Sequence, residues 1–348
     1  MRLLHCPACS SPLWLETLAC PDCGCEVMID PVKHVALPLT DTTTHHPCAN
    51  RAWACNWGVP DAAQAASCYS CRLTRRSPEP DDLAALAKLA TTGQSKRRLL
   101  TDLAALGLPV VPYWVREGGL AFDLLSSKSG HGPVTIGHAS GVITINLAES
   151  LDDYRESMRI RLDEPYRTML GHFRHEVGHY YQWQLVEIPG GAMLDRCREL
   201  FGDERASYRD AIDRHYREGA PADWAKRHIS SYATMHPWED FAETFAHYQH
   251  ILATLAIVAR GGLVLSAERS PLLASDVVPG ESYADRPFAE ALDDWRWVAH
   301  LLNRANHAMG KGDMYPFTIP APVAEKLEFV HTVVVASRVE EPLVGAGG

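Results

Sequence analysis

The sequence predicts an α+β protein in three parts: a small cysteine-rich N-terminal unit, a short sheet and a mainly helical body. Three observations lead there. Nine of the ten cysteines lie before residue 72. Residues 109–147 break into short apolar or alternating runs, "VVPYWV", "LAFDLL", "PVTIGHA" and "GVITINLA", separated by glycine and serine, the pattern of a small antiparallel or mixed sheet. From about residue 150 onward, apolar residues recur at helical spacing.

The N-terminal unit runs over residues 1–78, with several proline-centred turns and no long helical pattern; "TRRSPEPDD" (74–82) reads as a linker into a second unit, 79–348. "DDLAALAKLA" and "SKRRLLTDLAALG" have helical spacing and end at Gly107 and Pro109. "TIGHASGVITIN" predicts a hairpin turning at Ser140–Gly141. In the helical body, Asp163 is the expected N-cap and Pro165 the first-turn residue of a helix that stops at Pro189, Gly190 and Gly191. A second helix starts at Pro237 and stops at Gly261, and "FAEALDDWRWVAHLLNRANHAMG" is a third.

The composition is that of an ordinary globular chain, 46% hydrophobic and 22% charged. A net charge of −10 gives no strong nucleic-acid signal and no attraction to an anionic membrane surface. The most apolar stretch, "ILATLAIVA", is nine residues long, well short of the ~20 a spanning helix needs. No secretory signal is visible, so the expected location is cytoplasmic. In that setting clustered Cys-x-x-Cys pairs favour metal over disulfide.

"CPAC" (6–9) and "CPDC" (20–23) are two tight turns separated by ten residues. Each puts two thiolates on one side of a loop, and two facing loops make a tetrahedral four-thiolate zinc site from Cys6, Cys9, Cys20 and Cys23. Cys25 is left over. Cys48, Cys55, Cys68 and Cys71 are the candidate second structural site, with His45 or His46 as possible substitutes for one thiolate. Residues 1–78 contain six Lys/Arg and six Asp/Glu. Each four-thiolate zinc adds about −2, so this ribbon is not built to grip nucleic acid by charge. The metals instead stabilise a unit too small to fold on its own core, and the ribbon could engage a protein partner.

"HFRHEVGHYYQWQLV" (172–186) contains an HExxH pattern. Residues four apart on a helix are separated by about 40° around the axis, so His175 and His179 can reach one ion from successive turns, with Glu176 beside them. A catalytic zinc generally has a third protein ligand. "WEDFAETF" (238–245) offers Glu239, Asp240 and Glu243. Glu239 and Glu243 share a face, so one could ligate while the other accepts an N–H from a ligand histidine; spacing does not say which. Asp240 points about 100° away from Glu239. His172 reads as a solvated helix residue, His236 as a cap of the second helix, His247 and His250 as too far along it to ligate, and His138 as a residue of the hairpin.

At these motifs the chain resembles a known family. "HEVGH" followed by "WEDFAETFAHY" resembles the glutamate-zincins (gluzincins), in particular the lethal-factor-like branch, whose second motif is Glu-x-x-Ala-Glu-x-Phe. With "CNW" (55–57), "CYSCRLTR" (68–75) and the N-terminal ribbon, the chain resembles bacterial zinc-binding metallopeptidases with an N-terminal zinc-ribbon domain, over nearly its whole length. One departure is Gln182, which separates Tyr181 from Trp183 where that family runs Tyr-Tyr-Trp.

The resemblance implies a zincin-like peptidase domain with one catalytic and one or two structural Zn2+. It makes Glu239 the third ligand, Glu243 its neighbour's support, and Tyr232 the hydrogen-bond donor to the developing oxyanion. The implied reaction is peptide-bond hydrolysis by a zinc-activated water with Glu176 as general base, on a peptide or protein substrate paired to the strand near 142–147. The competing class is an adaptor whose ribbons bind a partner and whose zincin scaffold is not catalytic.

Overall fold

The computed structural model describes residues 3–127, 134, 136–147 and 168–345. The described residues form an α+β structure, and its contacts group into two units: Met1–Arg155 with Arg338–Gly348, and Glu156–Ser337.

The first unit begins with three short antiparallel ribbons: β1 (Leu4–His5) with β2 (Pro12–Leu13), β3 (Val27–Asp30) with β4 (Val35–Pro38), and β5 (His45–Pro47) with β6 (Gly58–Pro60). Val27, Met28, Ile29 and Trp57 are buried where these ribbons meet. A single turn, α1 (Tyr69–Arg72), leads into β7 (Thr74–Arg76). The two leucine-rich segments that follow run together as one helix, α2 (Leu83–Ala105), capped by the Asp82 carboxylate on the Ala85 amide at 2.9 Å.

The sheet is β7–β8–β10–β9, with β8 at Ala121–Leu125, β9 at Gly137–Ala139 and β10 at Val142–Asn146. It is mixed, one of the two expected forms: β8 pairs in parallel with both β7 and β10. It departs from the sequence expectation in two ways. Its β7 comes from the expected linker. Only a partner 48 residues away makes that stretch a strand, and Arg75 clamps Asp123 through two hydrogen bonds of 3.1 and 2.9 Å. "VVPYWV" is not a strand; Pro109 and Pro112 lack the N–H a ladder needs, and it contributes only isolated bridges. The expected hairpin does form between β9 and β10. Ser140 and Gly141 both have positive φ, as a two-residue turn of this hand requires, and His138 Nε2 accepts the Gly141 amide at 3.1 Å. Because β10 has strands on both sides, it offers no edge for a substrate. The outer strands are β7 and β9.

The second unit is helical among its described residues: α3 (Met169–Gln182), α4 (Gly191–Phe201), α5 (Tyr208–Glu218), α6 (Pro237–Arg260), α7 (Phe288–Ala308) and α8 (Ala321–Ala336). The cap of α3 is Thr168, whose hydroxyl accepts the Gly171 amide at 3.0 Å. Asp163 and Pro165, expected in that place, lie outside the described residues. A π-turn, Trp183–Glu187, closes α3, just ahead of the expected Pro189–Gly191 stop. Helix α6 is the hub. Phe241, Phe245, Tyr248, Ile251 and Leu255 are all buried, as expected of a helix that is covered on most sides. Near its start, the buried Asp240 carboxylate pairs with Lys326 of α8 at 2.5 Å. No helix among the described residues is long and apolar enough to cross a membrane.

Candidate active site and metal centres

Helix α3 buries Phe173, Val177, Tyr180 and Tyr181, so its orientation against α6 is set by packing. The contact is closest at Gly178. A Cβ built there would stand 2.9 Å from Ala242 Cα and 3.1 Å from its carbonyl oxygen. Glycine facing alanine is what lets the two backbones approach this closely, and the approach brings the first turn of α6 under the histidines. That turn is fixed by His236, whose Nδ1 accepts the Trp238 amide at 3.2 Å while Nε2 donates to the Ala206 carbonyl at 3.0 Å. Pro237 occupies the first helical position, where its missing N–H costs nothing.

The donors meet at this junction. His175 Nε2 lies 2.9 Å from Glu239 Oε2, and His179 Nε2 lies 3.6 Å from the same oxygen. One donor atom from each of the three residues falls within 4.8 Å of the others. Zinc–nitrogen and zinc–oxygen bonds of ~2.0–2.2 Å in a tetrahedron put neighbouring donors about 3.3 Å apart, and the two separations bracket that spacing. Glu243 Oε1 sits 2.6 Å from His175 Nδ1. With Nδ1–H donated to Glu243, the Nε2 lone pair faces Glu239 and His179, as a metal ligand requires. Ser230 donates its hydroxyl to the other Glu243 oxygen at 2.7 Å and accepts the Ala233 amide at 3.1 Å.

The electrostatics also call for a cation. Glu239 is 2% exposed and Glu176 6%. Burial works against the charged form of each, but the surrounding imidazoles outweigh it and lower both carboxyl pKa values. Glu243 is likewise held down to about 2; burial opposes its charge, and the His175 contact overcomes that. Burial disfavours an imidazolium at His175, yet the two carboxylates raise its pKa well above the ordinary range. Glu239 and Glu243 face His175, Glu239 also faces His179, and Glu176 faces His172, a donor set suited to a dication. One atom is explicitly in want of a partner: Glu176 Oε2 is buried and accepts no hydrogen bond among the described residues.

One residue beside the site stands differently from the sequence expectation. His172 is not a solvated helix residue. Its side chain is 20% exposed and its Nε2 lies 3.2 Å from Glu176 Oε1, because the two are one helical turn apart. Tyr232 begins a short 3-10 turn ahead of α6, with its ring centroid 5.8 Å from that of His175. His247 pairs with the Tyr315 hydroxyl at 2.8 Å and His250 with Arg174, both away from the ligand cluster. Sequence reasoning missed Tyr208, whose hydroxyl donates to Glu239 Oε1 at 2.7 Å. It also missed Ser230. Neither carries a signal in spacing, since each reaches its partner only through tertiary packing.

In the first unit Cys6, Cys9, Cys20 and Cys23 form one cluster and Cys48, Cys55, Cys68 and Cys71 another. Thiolates on one zinc stand about 3.8 Å apart. The sulfur pairs Cys6–Cys23, Cys9–Cys20, Cys55–Cys68 and Cys55–Cys71 are 3.6, 3.7, 3.5 and 3.7 Å apart. In the second cluster the Cys68 amide donates to Cys48 Sγ at 3.2 Å, the support expected of a metal-thiolate turn. The alternative in which His45 or His46 replaces a thiolate does not hold. His45 bonds Thr44 and faces Asp30, and His46 bonds Asp61 and the Ala65 carbonyl. Cys25 stays outside both clusters. Cys197 is buried in α4, its thiol pushed up to about 12 by burial.

Two four-cysteine clusters and a His/His/Glu cluster on this α+β fold define a zinc-binding protein. Residues 85–333 match the family described as "Putative zinc-binding metallo-peptidase", and the chain belongs to that family; residues 3–82 match a zinc-ribbon domain. The "Uncharacterized protein Rv2568c" of Mycobacterium tuberculosis strain H37Rv is 44% identical over 342 residues, covering 96% of this chain and 95% of its own. The "Uncharacterized protein Mb2598c" of Mycobacterium bovis matches to the same extent. No solved structure matches significantly.

Proposed function

We propose that the chain is a gluzincin-type peptidase that hydrolyses peptide or protein substrates, with His175, His179 and Glu239 holding a catalytic Zn2+. Zinc, when bound, supplies Lewis acidity to a water and to the scissile carbonyl. The observation that carries the reading is the convergence of His175 Nε2, His179 Nε2 and Glu239 Oε2, with Glu243 behind His175. Glu176 lies on the same helix, one residue from His175, with one oxygen steadied by His172 and the other free to accept a proton. It therefore takes the proton from water and returns it to the leaving amine. The Tyr232 hydroxyl donates to the tetrahedral oxyanion. The two cysteine clusters hold structural zinc in a ribbon module over 1–78, with the peptidase domain over 79–348.

Glu176→Gln keeps the shape of the side chain and removes its basicity. The variant should retain all its zinc by metal analysis and lose peptide-library cleavage by at least 100-fold, within the range general-base catalysis contributes. Cleavage equal to the parent's would overturn the mechanism. The adaptor reading is the weaker, because a non-catalytic scaffold has no need of an ionised carboxylate kept buried beside the metal ligands.

A further inference from the structure

The three ligand residues do not stand in equal need of orientation. An imidazole presents one lone pair once its other nitrogen is bonded, and Glu243 does this for His175. A glutamate presents two oxygens, and both could turn toward the metal. In Glu239 they are distinguished: Oε2 faces the two histidines, whereas Oε1 accepts the Tyr208 hydroxyl at 2.7 Å. Tyr208 is itself held. It is the first residue of α5, after the Ser207 cap. Its ring packs edge-on against His236 at 5.2 Å between centroids and tilted against Trp238 at 5.9 Å. The His236 hydrogen bond to the Ala206 carbonyl ties the start of α5 to the start of α6, so the phenol and the carboxylate it serves are anchored by one residue.

We propose that Tyr208 is the positioning residue for the Glu239 ligand: its hydroxyl occupies Oε1 and restricts the carboxylate to single-oxygen coordination through Oε2. This rests on the His175/His179/Glu239 reading above. By occupying one carboxylate oxygen, Tyr208 leaves a coordination position to water or substrate, which a two-oxygen glutamate would reduce.

The test uses the full-length chain and zinc alone. Tyr208→Phe keeps the ring against His236 and Trp238 and removes only the hydroxyl; Tyr216→Phe, an exposed position on the same helix, is the control. Competition with a chromophoric chelator should show one zinc, of the three, bound 10- to 100-fold more weakly in Tyr208→Phe and unchanged in Tyr216→Phe. Cobalt loaded into that site should show a shifted visible spectrum, because the number of oxygens on the metal changes; a purely structural tyrosine would not move it. Zinc affinity within twofold of the parent together with an unchanged cobalt spectrum overturns the proposal. His175→Ala separates the levels. If that variant binds as much zinc as the parent, the ligand reading itself fails. If it loses one zinc while Tyr208→Phe behaves as the parent, only the role of Tyr208 falls.

Discussion

The second four-cysteine cluster and the His/His/Glu cluster are built on opposite plans. Cys48, Cys55, Cys68 and Cys71 come from one stretch of 24 residues, and the amide hydrogen bonds on Cys48 come from within it. Lys96 of α2 is buried near these thiols, where burial lowers its pKa against their opposing pull, and its ammonium bonds Thr74 of β7. The histidine site draws its donors from two helices, with His175 and Glu239 separated by 64 positions in sequence. It depends on a third helix for Tyr208 and on a 3-10 turn for the support of Glu243. A local cluster closed by four ligands makes metal a folding element. A non-local cluster of three ligands relies on a fold that already exists.

That contrast is sharpest in the effect of losing one ligand. Structural zinc contributes about 10–16 kcal/mol on binding, as much as the ~5–15 kcal/mol that stabilises a whole domain. Cys68→Ser should therefore release one zinc and remove hydrogen-exchange protection from β8, β10 and α2, while α3 and α6 keep theirs. His175→Ala should also release one zinc, yet leave protection of α6 intact. Full protection in the first unit of Cys68→Ser would break the comparison.

A pair of glycine substitutions gives the next effect. Gly178→Ala forces a Cβ onto the Ala242 backbone, which has no side-chain rotamer to relieve it. Overpacking of this kind costs about 1–3 kcal/mol and pushes α3 from α6, so thermal stability and zinc affinity of the histidine site should fall together. Gly93→Ala in α2 meets only the end of the Arg97 side chain at 3.3 Å. It should stabilise the first unit by about 0.5–1 kcal/mol, the usual helix preference for alanine. Equal melting temperatures for the two variants would show that the close approach of the helices has no energetic role.

The smallest effect concerns Ser230, which is one step further from the metal than Glu243. Ser230→Ala removes a single donor to that carboxylate. Zinc affinity at the histidine site should drop by less than about tenfold, below the 10- to 100-fold typical when a direct partner of a ligand is lost, with both cysteine sites unchanged in the same titration. A larger loss would make Ser230, rather than His175, the main anchor of Glu243.

What could be read in the sequence follows the same division between local and distant. The first cysteine cluster was legible because its two Cys-x-x-Cys turns place their own donors; in the second only Cys68 and Cys71 form such a turn, and Cys48 and Cys55 are more loosely spaced. The HExxH pair was legible because helix periodicity alone puts His175 and His179 on one face. The His236 cap, the Ser140–Gly141 turn and the bounds of α6 came from backbone preferences acting within a few residues. The choice between Glu239 and Glu243 was open from spacing, since a helix presents both on one face, and it took a resemblance to separate them.

Tertiary structure decided the remainder. Thr74–Arg76 is a strand because Asp123 and Phe122 lie beside it, and nothing in "TRRSPEPDD" encodes that partner. Gly178 matters because Ala242 faces it, and Tyr208 because the His236 tether carries it to Glu239. Short-range preferences are written residue by residue along the chain. Which distant residues meet depends on how the helices and strands pack, and the partners that orient the ligands at the His/His/Glu site belong to that second class.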